Sequence, residues 1–209
     1  MGNALIPAHA QGPERVVMVA PSTNLEKQMH RLFLAIWPNR TACQRLADVI
    51  NGSRWPSETV LVRPENWHVT LHFIGNVPST RLAEIVPQLE VPFDPFFITL
   101  KRRVSWDHLT VLEPDSITAP LASLHEQLAA ALHKLHLPVE SRPFRPHLTL
   151  ARRNRNEAQP RSHGVTESHV ITPIRWRVKE YALVESKPGG HAIYTSLCRY
   201  HASMAPTTK

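Results

Sequence analysis

Trp67-His68-Val69-Thr70-Leu71-His72-Phe73-Ile74-Gly75-Asn76 is a run of apolar and β-favouring residues closed by Gly-Asn, and it reads as a strand over residues 67–74. Side chains alternate between the two faces of a strand, so His68 and Thr70 point one way while Val69 and Leu71 point the other. With leucine after the threonine the pattern returns once, in Arg145-Pro146-His147-Leu148-Thr149-Leu150-Ala151-Arg152, where a strand over residues 147–152 again sets an imidazole beside a hydroxyl. One His-x-Thr means little, because threonine is common in strands. Two copies in different halves of the chain, each followed by leucine, are harder to dismiss. Brought together across a pseudo-twofold axis, they would place two imidazoles and two hydroxyls around one small concave space of phosphate size.

Outward from these two strands, residues 31–37 form a short apolar run closed by Pro38, which suits a buried strand. A helix over 40–50 follows, with Cys43, Leu46, Ala47 and Ile50 on one face and Asn51-Gly52 as its stop signal. Residues 60–62 suggest a further strand and 79–89 a helix. In the second half, strands are expected over 96–104 and 108–112. A helix over 120–135 comes next, with Pro120 in its first turn and Leu121, Leu124, Leu128 and Leu132 as its apolar stripe. After the second His-x-Thr strand comes a loop over 154–164, then strands near 174–178, 181–185 and 193–200. Strands and helices mix without regular βαβ spacing, so the expected class is α+β with largely antiparallel sheet. Residues 1–29, with Pro7, Pro13 and Pro21, read as a poorly ordered leader, residues 30–202 as one domain, and 203–209 as a tail.

At 209 residues the chain can build one well-buried domain, or two small lobes sharing a cleft. Its formal charge of +7, with thirteen histidines in addition, favours a polyanionic partner without proving one. Cys43 and Cys198 form no CxxC pair and read as buried thiols in a reducing compartment. No apolar run approaches the roughly 20 residues of a membrane span, and 16–21 is too short for a signal-peptide core. The opening Met1-Gly2-Asn3-Ala4-Leu5-Ile6 puts Ile6 where myristoylation needs Ser or Thr. A cytoplasmic location is therefore expected.

The duplicated motif suits one chemistry. In-line attack on a phosphodiester needs a base for the incoming oxygen and an acid for the departing one, on opposite sides of phosphorus. Imidazole, with an ordinary pKa near 6.5, can serve as either at working pH. The threonine hydroxyls can donate to the non-bridging oxygens. Two histidines supply both proton transfers without a metal or other cofactor. His72 shares the nominal face of His68, but a catalytic zinc usually takes three protein ligands, and no acidic residue or cysteine stands at a supporting spacing. No metal site is assigned.

These residues resemble the LigT-like RNA 2′,3′-cyclic phosphodiesterases of the two-histidine (2H) phosphoesterase superfamily, the 2′-5′ RNA ligase family. The resemblance extends over about residues 30–202. Arg31-Leu32-Phe33-Leu34-Ala35-Ile36 is similar to the opening strand, residues 63–75 to the first motif block and 142–152 to the second. Leu183-Val184-Glu185-Ser186 and Tyr194-Thr195 are similar to the closing strands. The resemblance implies a bilobal α+β fold of two pseudo-symmetric lobes, each with one His-x-Thr strand, and an active site in the groove between them. It implies opening of an RNA terminal 2′,3′-cyclic phosphate to a 2′-phosphate, with 2′-5′ RNA ligation in some members.

By position, the resemblance makes His147 the proton acceptor that activates water and His68 the proton donor to the leaving 3′ oxygen. Thr70, Thr149 and Arg152 would bind the phosphate. Strict alternation turns Arg152 away from His147, so it reaches the site only if the strand ends or bulges there. Glu113 stands where relatives often carry a small residue, and Trp106 reads as core before it reads as a base-stacking platform. The expected partner is RNA ending in a 2′,3′-cyclic phosphate, with the protein a monomer needing no protein partner and no membrane. The rival readings are a two-histidine enzyme acting on a small cyclic nucleotide or a 2′-5′ oligonucleotide, and a non-enzymatic RNA-binding module.

Overall fold

In the computed structural model, the described residues are 28–106, 108–153, 165–187 and 192–203. Most of the expected leader, the loop over 154–164 and residues 204–209 of the tail lie outside them. The chain runs β1 (Met29–Ile36), α1 (Arg40–Asn51), β2 (Thr59–Leu61), β3 (Val69–Pro78), α2 (Leu82–Gln88), β4 (Phe96–Trp106), β5 (Leu109–Glu113), α3 (Ala119–Lys134), β6 (Leu148–Arg153), β7 (Val165–Val178), β8 (Glu180–Lys187) and β9 (Ile193–His201). All strand pairs are antiparallel, in the order β7-β4-β5-β6-β3-β1-β8-β9, with β2 pairing β6. The two His-x-Thr strands, β3 and β6, are therefore the central pair of the sheet. One half of the sheet is β3-β1-β8-β9 and the other is β6-β5-β4-β7. Their seam is the single partnered pair Val69–Leu148.

The helices close the fold by crossing over. In sequence α1 lies between β1 and β2, yet it packs against β7 at the edge of the other half, where Arg45 donates to the Pro173 carbonyl. In the same way α3 joins β5 to β6 but packs on β3 as well as β4. Its stripe Leu121, Leu124, Leu128 and Leu132 is buried, each side chain contributing about 1.5–3 kcal/mol by leaving water. Asn39 caps α1 by accepting from the Ala42 N–H.

Four expectations change. Gly75 does not end β3: it takes φ +87° at a bulge, a conformation open to glycine, and the strand runs on to pair Asn76 with Arg31 and Pro78 with Met29. The helix expected over 79–89 is a 3-10 turn at Ser79–Arg81 followed by α2, with Pro87 in the last turn. β7 begins nine residues earlier than expected, because its pairing with β4 slips between Leu100–Ile174 and Arg102–Val170, around Pro173 on this edge strand. Cys43 and Cys198 are free and half-buried, less enclosed than expected. Among the described residues, no helix is long and apolar enough to cross a membrane.

Candidate active site

Both histidines stand one position before their strands. β3 opens at Val69 and β6 at Leu148, and these two residues are partners. Carrying that antiparallel register one residue either way sets His68 opposite Thr149 and Thr70 opposite His147. All four are half-buried, whereas Val69, Leu71, Leu148 and Leu150 on the other face lie in the core. The structure thus brings together the two imidazoles and two hydroxyls picked out in the sequence.

Each ring is held in the same way. The Nδ1–H of His68 donates to the Asn66 carbonyl at 2.7 Å, and that of His147 to the Arg145 carbonyl at 2.8 Å. A carbonyl only accepts, so Nδ1 carries the proton in both neutral rings and Nε2 is left with the lone pair. Either Nε2 can take a proton, or give one once the ring is charged.

The same bulge follows each motif. Between the pairs Leu34–His72 and Ala35–Thr70, β3 carries Leu71 as an extra residue. Between Thr110–Ala151 and Val111–Thr149, β6 carries Leu150. The extra residue resets the alternation. On β6, Leu150 and Ala151 are both buried, and Arg152 emerges on the face of His147 and Thr149. There its positive charge disfavours protonation of both imidazoles. On β3 the bulge buries Leu71 and His72 together. His72 then leaves the face of His68, stacks on His125 of α3 at 4.0 Å and donates from Nε2 to the His125 carbonyl at 2.8 Å. The shared face inferred for His68 and His72 is corrected, and the two rings do not converge on an ion. Among the described residues, no group of three His, Cys, Asp or Glu could hold one.

The surroundings of the two rings differ. His68 stacks on Trp37 at 5.4 Å and is flanked by Phe33 at 5.1 Å and Tyr194 at 5.2 Å. Walled by rings, it has little water, and burial pushes its pKa down to about 4. The hydrogen bond to Asn66 opposes that fall, while the positive charges of His147 and Arg152 add to it. His147 lies 4.5 Å from Trp106, whose ring carries the Arg145 guanidinium at 4.1 Å. Trp106 therefore lines the site instead of joining the core. Burial lowers His147 too, but the bond to Arg145 and the Glu113 carboxylate pull it back up, against Arg145 and Arg152. Sequence reasoning missed Phe33, Trp37, Tyr194 and Arg145, which reach the site from separate segments. The one usable signal was Arg145 itself, two positions before His147, the same spacing that separates Asn66 from His68.

The profile of the 2′-5′ RNA ligase superfamily matches residues 38–190. A protein from Archaeoglobus fulgidus described as RNA 2′,3′-cyclic phosphodiesterase is 29% identical over 140 residues, 62% of this chain and 76% of that protein. One of the same description from Bacillus subtilis is 31% identical over 124 residues, 56% of this chain and 67% of that protein. Among solved structures, E. coli LigT complexed with 3′-AMP superimposes with a TM-score of 0.70 at 23% identity, over 85% of this chain and all of that one. A structure from Thermus thermophilus, TT0787, gives 0.67 at 24% identity, over 82% and 97%. The likeness in fold extends to both halves of the sheet.

Proposed function

The chain belongs to the 2′-5′ RNA ligase superfamily, and from that premise we propose that it is an RNA 2′,3′-cyclic phosphodiesterase, opening a terminal cyclic phosphate to a 2′-phosphate by acid–base catalysis without a metal. Its relatives from A. fulgidus and B. subtilis carry that description. One observation carries the reading to particular residues: two His-x-Thr segments meet at the Val69–Leu148 seam, each with Nδ1–H tied to a carbonyl and Nε2 left for proton transfer. The catalytic unit is residues 30–202, acting as a monomer in the cytoplasm on RNA, whose polyanionic backbone suits a chain of charge +7.

In the proposed reaction His147 Nε2 takes a proton from water as its oxygen attacks phosphorus. The P–O3′ bond breaks, and the protonated Nε2 of His68 delivers its proton to O3′. One water is consumed, leaving a 2′-phosphate and a 3′-hydroxyl. Thr70 and Thr149 donate to non-bridging oxygens, and Arg152 opposes the growing negative charge. O3′ belongs to the ribose, so the half-site holding the acid must also hold the nucleoside. That is the aromatic half, with Phe33, Trp37 and Tyr194, whereas the phosphate lies toward Arg152. In the free protein at neutral pH, a His68 ring near pKa 4 is uncharged. The anionic substrate offsets the neighbouring positive charges and raises the ring's affinity for a proton, which it takes up from solvent.

The test is to incubate the protein, with EDTA present, with an RNA oligomer ending in 2′,3′-cyclic phosphate. The expected product is a 2′-phosphate, at a rate that the chelator does not change. A product bearing mainly 3′-phosphate would reverse the roles of the two histidines. Turnover confined to small cyclic nucleotides or 2′-5′ oligonucleotides would move the substrate, not the chemistry. Binding of RNA with no turnover of any of these would leave a binding module.

A further inference from the structure

Glu113, the last residue of β5, is a carboxylate that the reaction above does not use, and it is 4% exposed. Its Oε1 accepts from Arg145 Nε at 2.7 Å, and its Oε2 lies 3.6 Å from Arg102 on β4. Both guanidinium groups are partly open to water, so the buried end of this cluster is the carboxylate. A buried carboxylate is costly unless it is paired and hydrogen-bonded, as this one is. Arg145 connects it to the catalytic ring in two ways. The Arg145 carbonyl takes the His147 Nδ1–H at 2.8 Å, and its guanidinium covers Trp106, which packs on His147.

Among the described residues, the His68 half has nothing equivalent. There the Asn66 carbonyl does the work of the Arg145 carbonyl, and the Asn66 side chain donates to the Ala192 carbonyl at 2.9 Å, with no carboxylate involved. We propose that Glu113, acting through Arg145, is a positioning residue for His147: it anchors the residue whose carbonyl orients the ring, and it is the carboxylate that faces that ring. The inference rests on the reading of His147 as one of the two proton-transfer groups.

The charged groups acting on His147 are Arg145 on its own segment, Arg152 on β6, Glu113 on β5 and, across the seam, His68. Arg102 on β4 pairs with the other carboxylate oxygen of Glu113 at 3.6 Å. Arg145 and Arg152 oppose the positive charge that His147 acquires when it takes the proton of water. Glu113 favours that charge, much as a carboxylate behind a catalytic histidine does, though here with an arginine between them.

The experiment is an NMR titration of the His147 and His68 rings without substrate, with the pH profile of kcat/KM on cyclic-phosphate RNA. Both are run on the full chain and on Glu113→Gln, Glu113→Asp and Arg102→Gln. Glu113→Gln keeps the size and removes the charge. It should lower the His147 midpoint and leave that of His68, move one limb of the profile to lower pH, and cut kcat about three- to tenfold, a fraction of what the proton-transfer group itself is worth, with little change in KM. Glu113→Asp, which keeps the charge, should restore the titration. Arg102→Gln should behave as wild type. If Glu113→Gln moves neither the titration nor the profile, or if Arg102→Gln reproduces its effects, the carboxylate serves the β4–β5 pairing and the proposal is overturned. Should Glu113→Gln fail to fold, the proposal stands or falls on Glu113→Asp and Arg102→Gln, both required to keep the wild-type His147 midpoint. A shifted His147 in a protein inert toward RNA would sink the function proposed above and leave this inference standing.

Discussion

Laid side by side, the two halves of the site match pair by pair. Ile36–Val69 corresponds to Leu112–Leu148, Ala35–Thr70 to Val111–Thr149, Leu34–His72 to Thr110–Ala151, and Phe33–Phe73 to Leu109–Arg152. The histidine, its bond to the carbonyl two residues back, the threonine and the leucine bulge are common to both. The flanks are not. One ring sits among Phe33, Trp37 and Tyr194, and the other beside Arg145, Glu113 and Arg152. Where the second half extends an arginine onto the site face, the first extends Phe73, half covered by the Arg31 guanidinium at 4.9 Å. Duplication of a backbone thus provides two similarly held imidazoles, and under the proposed function the side chains around them assign the two different work. A symmetric pair could not tell the attacking oxygen from the leaving one.

The largest effect expected is common to both halves. His68→Ala and His147→Ala should each cost about 10²- to 10⁴-fold in kcat with the fold retained. The double variant should be little worse than either alone, because the two act as a unit. Near-wild-type turnover by either single variant would end the two-histidine mechanism.

The next effect separates the halves. Arg152→Gln should lower kcat/KM about 10- to 100-fold, the usual cost of a charged hydrogen bond. Phe73→Leu at the equivalent position should leave kcat alone and act, if at all, on KM. Equal losses at both positions would mean that the phosphate does not favour the charged half.

Thr70→Val and Thr149→Val, each removing one hydrogen bond of about 1 kcal/mol, should cost less than tenfold in kcat/KM. The smallest effect concerns stability. Burial holds His68 and His125 near pKa 4, and lowers His72 and His147. Between about pH 6.5 and 4 the unfolded chain binds more protons at these rings than the folded one, so stability falls as pH drops through that window. His125→Phe, which keeps an aromatic stack between His72 and Phe144, should flatten part of that fall. Thermal melts of both proteins from pH 7 to pH 4 measure it, and parallel curves would count against His125.

Much of this was legible in the sequence where the signal is local. The leucine spacing of α3 and the apolar face of α1 follow from helical period, and the paired His-x-Thr follows from strand alternation. The bulges could not be read, because Leu71 and Leu150 look like ordinary strand residues until their partners on β1 and β5 are known. Counting through Leu150 turned Arg152 away from the site, and counting through Leu71 kept His72 beside His68. The aromatic wall of His68 was equally hidden. Phe33 lies on β1, Trp37 just after it and Tyr194 on β9, so no window of sequence contains the cluster. Pro173 within β7 argues against a strand by propensity, and only pairing with β4 overrides it.

The crossed helices make the two halves inseparable as pieces of gene. A fragment ending after α2 would carry β1 and β3 without β8 and β9 of the same half, and α1, which packs on the half it lacks, and it would be missing α3, which covers its own β3. The remainder would be short of α1 in turn. Neither fragment encloses its own interior, so each offers its partner the surface it needs. Expressed as two polypeptides, they are expected to be found together or not at all, and a break in the connection between them need not part the two imidazoles.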